Sequence, residues 1–181
     1  DLNIMKEKQD LFDVTLSVLS KMKEVILQTK PDLVLVHGDT TTAMASAMAA
    51  FYSNVPIGHV EAGLRTYDVL SPFPEEFNRQ TVSSVSKWHF APTETSKANL
   101  NREGVSSDHV FVTGNTVIDA LFWVLNRIEA DVELDGDLRR KLDRVCKFNW
   151  SQCRFIMVTG HRRENFGEGF LQICKAIKEL A

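Results

Sequence analysis

The sequence predicts an α/β fold in which a Rossmann-like parallel sheet is flanked by helices. Short apolar runs at residues 33–36, 57–60 and 110–113 are each bounded by turn residues, as is typical of buried parallel strands. Segments with helical spacing separate these runs, so strands and helices alternate along the chain. Acidic residues follow two of the runs, and sheets of this class bind ligands beyond the carboxyl ends of their strands. The pattern therefore predicts both a fold and the edge that carries a site.

The first predicted helix is capped by Asp10 and ends before the first proline. Its apolar positions are Leu11, Val14, Val18, Met22 and Val25. Residues 1–5 are interpreted as the tail of a strand. A second helix, residues 43–51, is small and apolar on nearly every face, which favours burial between the sheet and another subunit or domain. Either Asp39 or Thr40 can cap it.

The alternation continues along the rest of the chain. Glu61 follows the second apolar run, and Gly63 in the next turn permits close approach of a ligand to the backbone. Residues 67–74 hold two prolines, which predicts a stiff binding loop. The further elements expected are a helix at 75–87, a strand at 88–91, a helix at 93–103, the strand at 110–113, and a helix to about residue 129 capped by Asn115 or Thr116.

Changes in composition predict a division into domains. Residues 1–129 carry the alternating pattern and are assigned to an N-terminal Rossmann-like domain that is incomplete at its start. Residues 130–150 are polar and charged, and are interpreted as an interdomain connection. An apolar run at 155–158 predicts a new strand, and a helix follows at 167–180. Residues 151–181 are assigned to the start of a truncated C-terminal domain, because a lone βα unit cannot close its own core.

Composition excludes several classes of protein. Of the 181 residues 44% are hydrophobic, and the formal net charge is −3 with both signs interspersed. This charge pattern lacks the cluster of basic residues by which a protein binds nucleic acid or a membrane surface. No apolar run approaches the roughly 20 residues needed to cross a bilayer. The three cysteines form no C-x-x-C pair, which fits a reducing compartment, and we expect a cytoplasmic protein.

Two groups of residues are candidates for chemistry, and the first is acidic. Asp39, Glu61 and Glu75 can supply a general base and a general acid if they converge. The competing interpretation is that Asp39 caps a helix and that Glu75 favours the positive end of its own helix. For each acid alone both interpretations stay open. Glu61 is the hardest to explain structurally, since burial directly after an apolar strand is costly without a partner.

The second group is basic. His161, Arg162 and Arg163 lie between a strand signal and a helix start, where backbone N–H groups favour a phosphate. Arginine adds bidentate contacts, and histidine can donate to a leaving phosphate oxygen. A solvated surface pair explains the two arginines equally well, and the turn position favours the phosphate site. No Walker or G-x-G-x-x-G motif accompanies them, so neither NTP hydrolysis nor dinucleotide redox is indicated.

A metal site is the alternative for the two strand ends. His37 with Asp39, and His59 with Glu61, each place an imidazole and a carboxylate on one side of a strand, a ligand set that zinc or manganese accepts. A histidine at such a position is more often a packed core residue, and no H-E-x-x-H pair supports a site. We therefore predict no metal.

Six sequence blocks together resemble one family. The blocks are HGDTTT (37–42), HVEAGLRT (59–66), SPFPEEFNR (71–79), APTETS (91–96), VTGNTVIDAL (112–121) and VTGHRRENFG (158–167). In this order they closely resemble the non-hydrolysing UDP-N-acetylglucosamine 2-epimerases of bacteria, over nearly the whole chain. The hydrolysing relatives have Glu-Gly-Gly where this sequence has Glu61, Ala62 and Gly63. The resemblance is therefore to the non-hydrolysing branch.

The resemblance implies a two-domain, glycosyltransferase-B-like fold, a cytoplasmic homodimer and no cofactor. It implies reversible epimerisation at C2 of UDP-N-acetylglucosamine (UDP-GlcNAc) to UDP-N-acetylmannosamine (UDP-ManNAc) by elimination and re-addition of UDP, for surface polysaccharides. Bacterial members can also bind a second UDP-GlcNAc as an activator. The residues that match the family's catalytic motifs are Asp39, Glu61, Glu75 and His161. Those expected to bind substrate or UDP are Arg65, Arg162, Arg163 and Asn165.

The resemblance also sets expectations about the extent of the chain and about competing functions. It implies that the family's first βα units and most of its C-terminal UDP-binding domain lie outside this chain. The alternatives are a glycosyltransferase-B-type sugar-nucleotide transferase and a non-catalytic sugar-nucleotide binding domain. A transferase would not need acids on two faces of the sugar, so Asp39 and Glu61 favour the epimerase.

Overall fold

A computed structural model of the protein describes residues 1–159 and 167–180. Contacts between residues divide the chain into two compact units, Asp1–Thr116 and Val117–Ala181. Within the described residues all the strands belong to the first unit, and the second consists of helices and irregular chain. The division into domains expected from the sequence, with bounds at residues 129 and 150, stays a prediction.

The first unit is a parallel sheet with a helix between each pair of successive strands. Its strands are β1 (Val34–His37), β2 (Ile57–Val60), β3 (Trp88–Ala91) and β4 (Val110–Val112). Its helices are α1 (Leu11–Thr29), α2 (Thr41–Tyr52), α3 (Glu75–Val85) and α4 (Glu94–Arg102), with a 3₁₀ turn at Ser107–His109 before β4. The strand order is β1-β2-β3-β4 and every neighbouring pair is parallel. The predicted fold class is confirmed, and the carboxyl ends of all four strands lie at one edge.

The first helix begins and ends where the sequence indicates. Asp13 N donates to Asp10 Oδ1 at 2.8 Å, and Asp10 N donates to Asp13 Oδ2 at 3.1 Å. This reciprocal capping box satisfies backbone donors that the first turn leaves without intrahelical partners. At the other end Lys30 is left-handed, with φ 45°, and its N–H donates to Ile26 O at 2.9 Å. The predicted cap at Asp10 is confirmed.

Helix α2 packs closely because its side chains are small. Thr40 caps it, accepting a hydrogen bond from Ala43 N at 3.2 Å, so Asp39 is not used as the cap. Ala45, Ala47 and Ala50 are fully buried, and the helix contacts α1, α3 and β1. Its predicted burial is confirmed, but the elements that cover it belong to the same unit and not to another subunit or domain.

The two faces of the sheet differ in cover. Val36 and Ile57 lie in one apolar cluster with residues of α1, α2 and α3, and Val110 packs with Leu100 of α4 in another. On the opposite face Leu35 is 60% exposed. The helices of the first unit therefore bury one face of the sheet.

Two strand predictions are wrong. Residues 1–5 are irregular and are held locally, with Gln9 Nε2 donating to Ile4 O at 3.0 Å. Residues 155–158 are also irregular, and Ile156 is 90% exposed. An apolar run forms a strand only where a neighbouring strand pairs with its backbone N–H and C=O groups. Among the described residues neither segment has such a neighbour.

The second unit is helical in its described part. Its helices are α5 (Thr116–Ala130), α6 (Val132–Val145) and α7 (Glu168–Leu180), and the prediction of a helix at 167–180 is confirmed. The charged segment interpreted as a connection forms α6, capped by Asp131, whose Oδ1 accepts from Leu134 N at 2.9 Å. None of the helices in residues 1–159 and 167–180 has the length and apolarity that a bilayer crossing requires.

Candidate active site

The carboxyl ends of β1 and β2 bring two of the predicted acids together. His37 pairs with Val60 in the parallel register, and Gly38 N donates to Val60 O at 3.0 Å. Asp39 and Glu61 therefore leave neighbouring strands at almost the same level. A Cβ on Gly38 would lie 3.3 Å from Glu61 Oε2, so the Glu61 carboxylate lies against the Gly38 backbone. The predicted position of both acids at one sheet edge is confirmed, whereas their chemical roles stay predictions.

Glu61 has an unusual backbone conformation. Its φ of +67° falls in the left-handed region, which costs a non-glycine residue about 1–2 kcal/mol. Its Oε2 lies 3.5 Å from Nε2 of His37, and the Glu61 side chain is 30% exposed. The partner that Glu61 requires is thus a half-exposed histidine at the end of β1. Backbone strain of this kind is concentrated at functional sites.

Asp39 is held by α3. Its Oδ2 accepts from Arg79 Nη2 at 2.5 Å, and its carbonyl oxygen accepts from Asn78 Nδ2 at 2.8 Å. Because Thr40 supplies the cap of α2, the Asp39 carboxylate is not occupied by capping. Its side chain remains 28% exposed. The residue therefore combines a fixed position with partial access from solvent.

The two adjacent glutamates at the start of α3 lie in different environments. Glu75 is partly exposed, and its carboxylate forms no hydrogen bond or ion pair with the described residues. Glu76 is fully buried and accepts from the backbone N–H groups of Thr66 and Tyr67 at 3.1 Å each, and from Gln80 Nε2 at 2.8 Å. The sequence interpretation singled out Glu75 and missed the structural importance of its neighbour.

The contacts of Glu76 keep it charged. Burial acts to raise the pKa of this carboxyl. The hydrogen bonds from Gln80, Thr66 and Tyr67, together with Arg79 Nη1 at 3.4 Å from Oε2, outweigh burial and lower the pKa of Glu76. A buried carboxylate satisfied by several donors anchors the structure around it. Glu76 thus fixes the start of the loop that follows β2.

Arg79 links this anchor to the candidate site. Its two terminal nitrogens contact different carboxylates, Glu76 and Asp39, and its side chain is only 12% exposed. Its Nε is buried and has no partner among the described residues. Sequence reasoning missed Arg79, although a spacing of three residues from Glu76 on one helix predicts an ion pair. The contact with Asp39 becomes visible only in the fold.

The predicted binding loop at residues 67–74 is pinned near its base and exposed at its tip. The hydroxyl of Thr66 donates to Ser71 O at 2.5 Å, which closes the loop. Leu70 is 72% exposed and Phe73 is 58% exposed. A loop held at its base, with apolar side chains directed outward, presents a surface on which a ligand can be bound. Its function as a binding loop stays a prediction.

Arg65, predicted to bind substrate or UDP, is engaged inside the protein. Its side chain is 0% exposed, and its Nε and Nη2 each lie 2.7 Å from a carboxylate oxygen of Glu103. Its Nη2 also donates to Ser83 Oγ at 3.0 Å, and Nη1 to Leu64 O at 2.8 Å. These contacts join the loop after β2 to α3 and to the end of α4. Direct contact of Arg65 with UDP stays a prediction.

Two histidines lie buried side by side on β2 and β3. His59 and His89 are register partners and both are 0% exposed. His59 Nε2 lies 2.9 Å from Gly38 O, whereas neither ring nitrogen of His89 has a partner among the described residues. Burial lowers the pKa of each to about 4. Both rings are therefore neutral near neutral pH.

The alternative of a metal site gains no support from this geometry. His59 is directed to the carbonyl of Gly38 and not to Glu61. In the part of the chain that the structure describes, no three His, Cys, Asp or Glu side chains are placed to hold an ion together. The absence of a metal stays a prediction.

The basic block expected to bind diphosphate lies outside the described residues. His161, Arg162, Arg163 and Asn165 fall in the range 160–166, so their positions and roles stay predictions. Helix α7 begins at Glu168, three residues after Asn165.

The described edge is suited to proton transfer. Asp39 and Glu61 are partly exposed carboxylates on adjacent strand ends, and Glu75 opens the helix whose later residues hold Asp39. Positioned carboxylates can serve as general bases and general acids. The edge is acidic, since Arg79 is shared between two carboxylates. A diphosphate would therefore require additional cationic groups.

Comparison with known proteins gives a consistent result along the whole chain. A family model described as UDP-N-acetylglucosamine 2-epimerase matches residues 1–181. The chain is 53% identical over 181 residues to the UDP-N-acetylglucosamine 2-epimerase of Campylobacter jejuni, and 49% identical to that of Escherichia coli strain K12. Both alignments cover 100% of this chain and 47% of the relative. The chain thus spans about half the length of the curated relatives it matches.

Solved structures show the same similarity in three dimensions. A UDP-GlcNAc 2-epimerase from Neisseria meningitidis, bound to UDP-GlcNAc, matches with a TM-score of 0.90 and 49% identity, covering 100% of this chain and 47% of that one. A UDP-GlcNAc 2-epimerase from Methanocaldococcus jannaschii, in complex with UDP-GlcNAc and UDP, matches with a TM-score of 0.83 and 35% identity, covering 98% and 46%. These matches confirm the fold class.

Proposed function

Because the chain belongs to the UDP-N-acetylglucosamine 2-epimerase family, we propose that the protein containing it interconverts UDP-GlcNAc and UDP-ManNAc. The product serves surface polysaccharide biosynthesis. The observation that carries the proposal is the placement of Asp39 and Glu61 on neighbouring strand ends, with their carboxylates partly exposed. Inversion at C2 requires proton removal from one face and proton delivery to the other, which two positioned acids can perform.

The proposed reaction is redox-neutral and needs no nicotinamide. Loss of the C2 proton and departure of UDP from C1 form a double bond between C1 and C2, giving a glycal. A proton is then added to the opposite face of C2 while UDP returns to C1, and the configuration at C2 is inverted. No carbonyl activates the C2 proton, so stabilisation of the departing diphosphate must lower much of the barrier.

The roles assigned to the residues follow from the family motifs together with the geometry of the sheet edge. Asp39 and Glu61 exchange protons with C2, and Glu75 assists as a third acid. His161 donates to the departing phosphate oxygen. The residues proposed to bind UDP or substrate are Arg65, Arg162, Arg163 and Asn165.

The experiment that tests the function is product analysis with the full-length protein. UDP-GlcNAc is added and the mixture is followed by proton and phosphorus NMR. We expect UDP-ManNAc to accumulate to an equilibrium mixture without net release of UDP, as a non-hydrolysing enzyme requires. Equimolar free UDP and free sugar would indicate hydrolysis instead. Binding without conversion would favour a non-catalytic domain, and turnover only with an added acceptor would favour a transferase.

We further propose a cytoplasmic homodimer that also uses UDP-GlcNAc as an activator. The three cysteines are free, as expected in a reducing compartment. Phe12 and Leu16 of α1 are 78% and 66% exposed, which gives apolar surface for a second copy. Sedimentation analysis of the full-length protein should give a dimer mass.

The activator is tested by kinetics. Initial rates should rise sigmoidally with UDP-GlcNAc concentration if a second molecule activates, whereas a hyperbolic dependence would contradict the proposed activation.

A further inference from the structure

We propose that Arg79 is a positioning residue for the Asp39 carboxylate, and that Glu76 holds Arg79 in place for this task. The inference rests on the proposed function and deepens it, because Asp39 is one of the two proposed proton-transfer groups. It gives a role to two residues of the segment PFPEEFNR that the proposed mechanism does not use directly.

The first support is the geometry of the guanidinium. Arg79 directs Nη2 to Asp39 Oδ2 at 2.5 Å and Nη1 towards Glu76 Oε2 at 3.4 Å. The planar guanidinium presents its donors in fixed, separate directions, whereas the ammonium of lysine is a compact charge on a flexible chain and does not hold the same two-way geometry. Asp39 lies 40 residues before Arg79 in the sequence and follows the end of β1, whereas Glu76 lies three residues before Arg79 on α3. Arg79 therefore links a strand end to a helix.

The second support is the rigidity of the anchor. Glu76 is fully buried and accepts two backbone hydrogen bonds and one from the Gln80 side chain. A side chain with these partners has little freedom to move, and it restricts the Arg79 fork in turn. Asn78 of the same helix donates to the Asp39 carbonyl at 2.8 Å. Helix α3 therefore fixes both the backbone and the carboxylate of Asp39.

The third support is accessibility, which separates positioning from direct contact with substrate. Arg79 is 12% exposed, its Nε is buried, and its terminal nitrogens already contact carboxylates. The Asp39 side chain is 28% exposed and is therefore the more accessible member of the pair. A general base works only when it is held within hydrogen-bond reach of its proton. The arrangement points to an arginine that acts through Asp39.

The main test compares Arg79→Ala and Arg79→Lys in the full-length protein. We expect kcat for epimerisation to fall by about 10²-fold in each, the loss typical of a displaced catalytic group, with little change in KM for UDP-GlcNAc. Added guanidinium at low concentration should restore kcat of Arg79→Ala at least in part. It should not restore Arg79→Lys, in which the lysine chain occupies the space. Arg139→Ala, which removes an exposed pair with Asp135, is the control and should match wild type.

A second variant tests the anchor. Glu76→Gln should lower kcat in the wild-type background and should add no further loss to Arg79→Ala, because both act through the same carboxylate. Independent, additive losses would overturn the proposed order from Glu76 through Arg79 to Asp39. A fall in melting temperature with unchanged kcat, or a rise in KM alone, would also overturn it. If Arg79→Ala is insoluble, Arg79→Lys and Glu76→Gln decide the outcome.

Failure of the proposed function is visible separately, because wild type is assayed first. If wild type does not epimerise UDP-GlcNAc, crystal structures of wild type and Arg79→Lys still test the positioning. We expect the Asp39 carboxylate to change its orientation in the variant. An unchanged carboxylate would overturn the inference, whatever reaction the protein performs.

Discussion

At the scale of single residues, two adjacent glutamates differ in their surroundings. Glu75 is a candidate for acid–base chemistry, whereas Glu76 is a structural residue. Glu76 is fully buried among three hydrogen-bond donors, whereas Glu75 is partly exposed without such contacts. Glu76→Gln would replace one carboxylate oxygen by an amide NH₂ group. This group cannot accept a hydrogen bond from the N–H groups that now contact the carboxylate. We expect the substitution to lower the free energy of unfolding by about 1–3 kcal/mol. Glu75→Gln is the matched control, with an expected change within about 0.5 kcal/mol.

Urea unfolding of the full-length protein measures both glutamate variants. Equal losses in the two would contradict the assignment of Glu76 as the anchor. Activity supplies the complementary test, because Glu75→Gln should affect turnover more than stability if it assists in catalysis.

The buried histidines predict a dependence of stability on pH. Burial lowers the pKa of His59 and His89 to about 4, from an ordinary value of 6.5. Between these values the unfolded chain binds more protons, so stability is complete above pH 6.5 and falls as the pH is lowered towards 4. His89 has no hydrogen-bond partner among the described residues, so His89→Leu should reduce this loss at little cost at neutral pH.

Melting temperatures of the full-length protein between pH 4 and 7 test the histidine prediction. His109 is exposed but adds to the lowering of the His89 pKa, so His109→Asn is the comparison and should change the curve less than His89→Leu does. A curve for His89→Leu that is as steep as wild type would show that another group causes the acid sensitivity.

The residues found by sequence reasoning are those whose position along a strand signals their role. Asp39 and Glu61 follow apolar runs, and their meeting at one edge follows from parallel pairing. Arg79 was missed because its contact with Asp39 crosses 40 residues of sequence. The internal role of Arg65 was also missed, because Glu103 lies on another element. Long-range ion pairs of this kind leave no periodic pattern in a sequence.

At the scale of elements, the turn after β2 depends on a glycine. Gly63 has φ +88°, and a Cβ there would lie 2.2 Å from the carbonyl oxygen of Ser96 in α4. Gly63→Ala should destabilise the protein by the cost of positive φ, about 1–2 kcal/mol, and by a further 1–3 kcal/mol or so for overpacking against backbone. Gly104, with φ +91° and nothing within 4 Å of its Cβ position, is the matched control.

Unfolding of Gly63→Ala and Gly104→Ala isolates the contact between the turn and α4. We expect the first to lose clearly more stability than the second, since only the first combines strain with a steric conflict. Equal losses would contradict the close approach of this turn to Ser96.

Strand prediction succeeded where neighbouring strands were available. The runs at 57–60 and 88–91 match β2 and β3, and β1 lies one residue beyond its expected run. The run at 155–158 has the same apolar character but is irregular. Hydrophobicity thus identifies a segment that can be a strand, whereas pairing decides whether it becomes one. The charged segment at 130–150 was interpreted as a connection, yet helix α6 forms within it, with polar residues facing solvent.

At the scale of the whole molecule, the proposed reaction divides into two tasks. In this proposal the acids at the sheet edge transfer protons, and the basic block at residues 161–165 stabilises UDP. Asp39→Asn and Glu61→Gln keep the shape of the side chain and remove the base, so UDP affinity should change little. His161→Asn should slow the departure of UDP instead. Calorimetry with UDP tests this division, and a collapse of affinity in both acid variants would indicate a binding role.

The central claim is that Asp39 and Glu61 exchange protons with C2, and deuterium incorporation tests it most directly. Full-length wild type, Asp39→Asn and Glu61→Gln are incubated with UDP-GlcNAc in heavy water, and deuterium at C2 is measured by NMR. Wild type should place solvent deuterium at C2 of UDP-ManNAc. Each variant should lose about 10²–10⁴-fold in the rate of incorporation, the usual contribution of general acid–base catalysis. Undiminished incorporation in either variant would contradict the account.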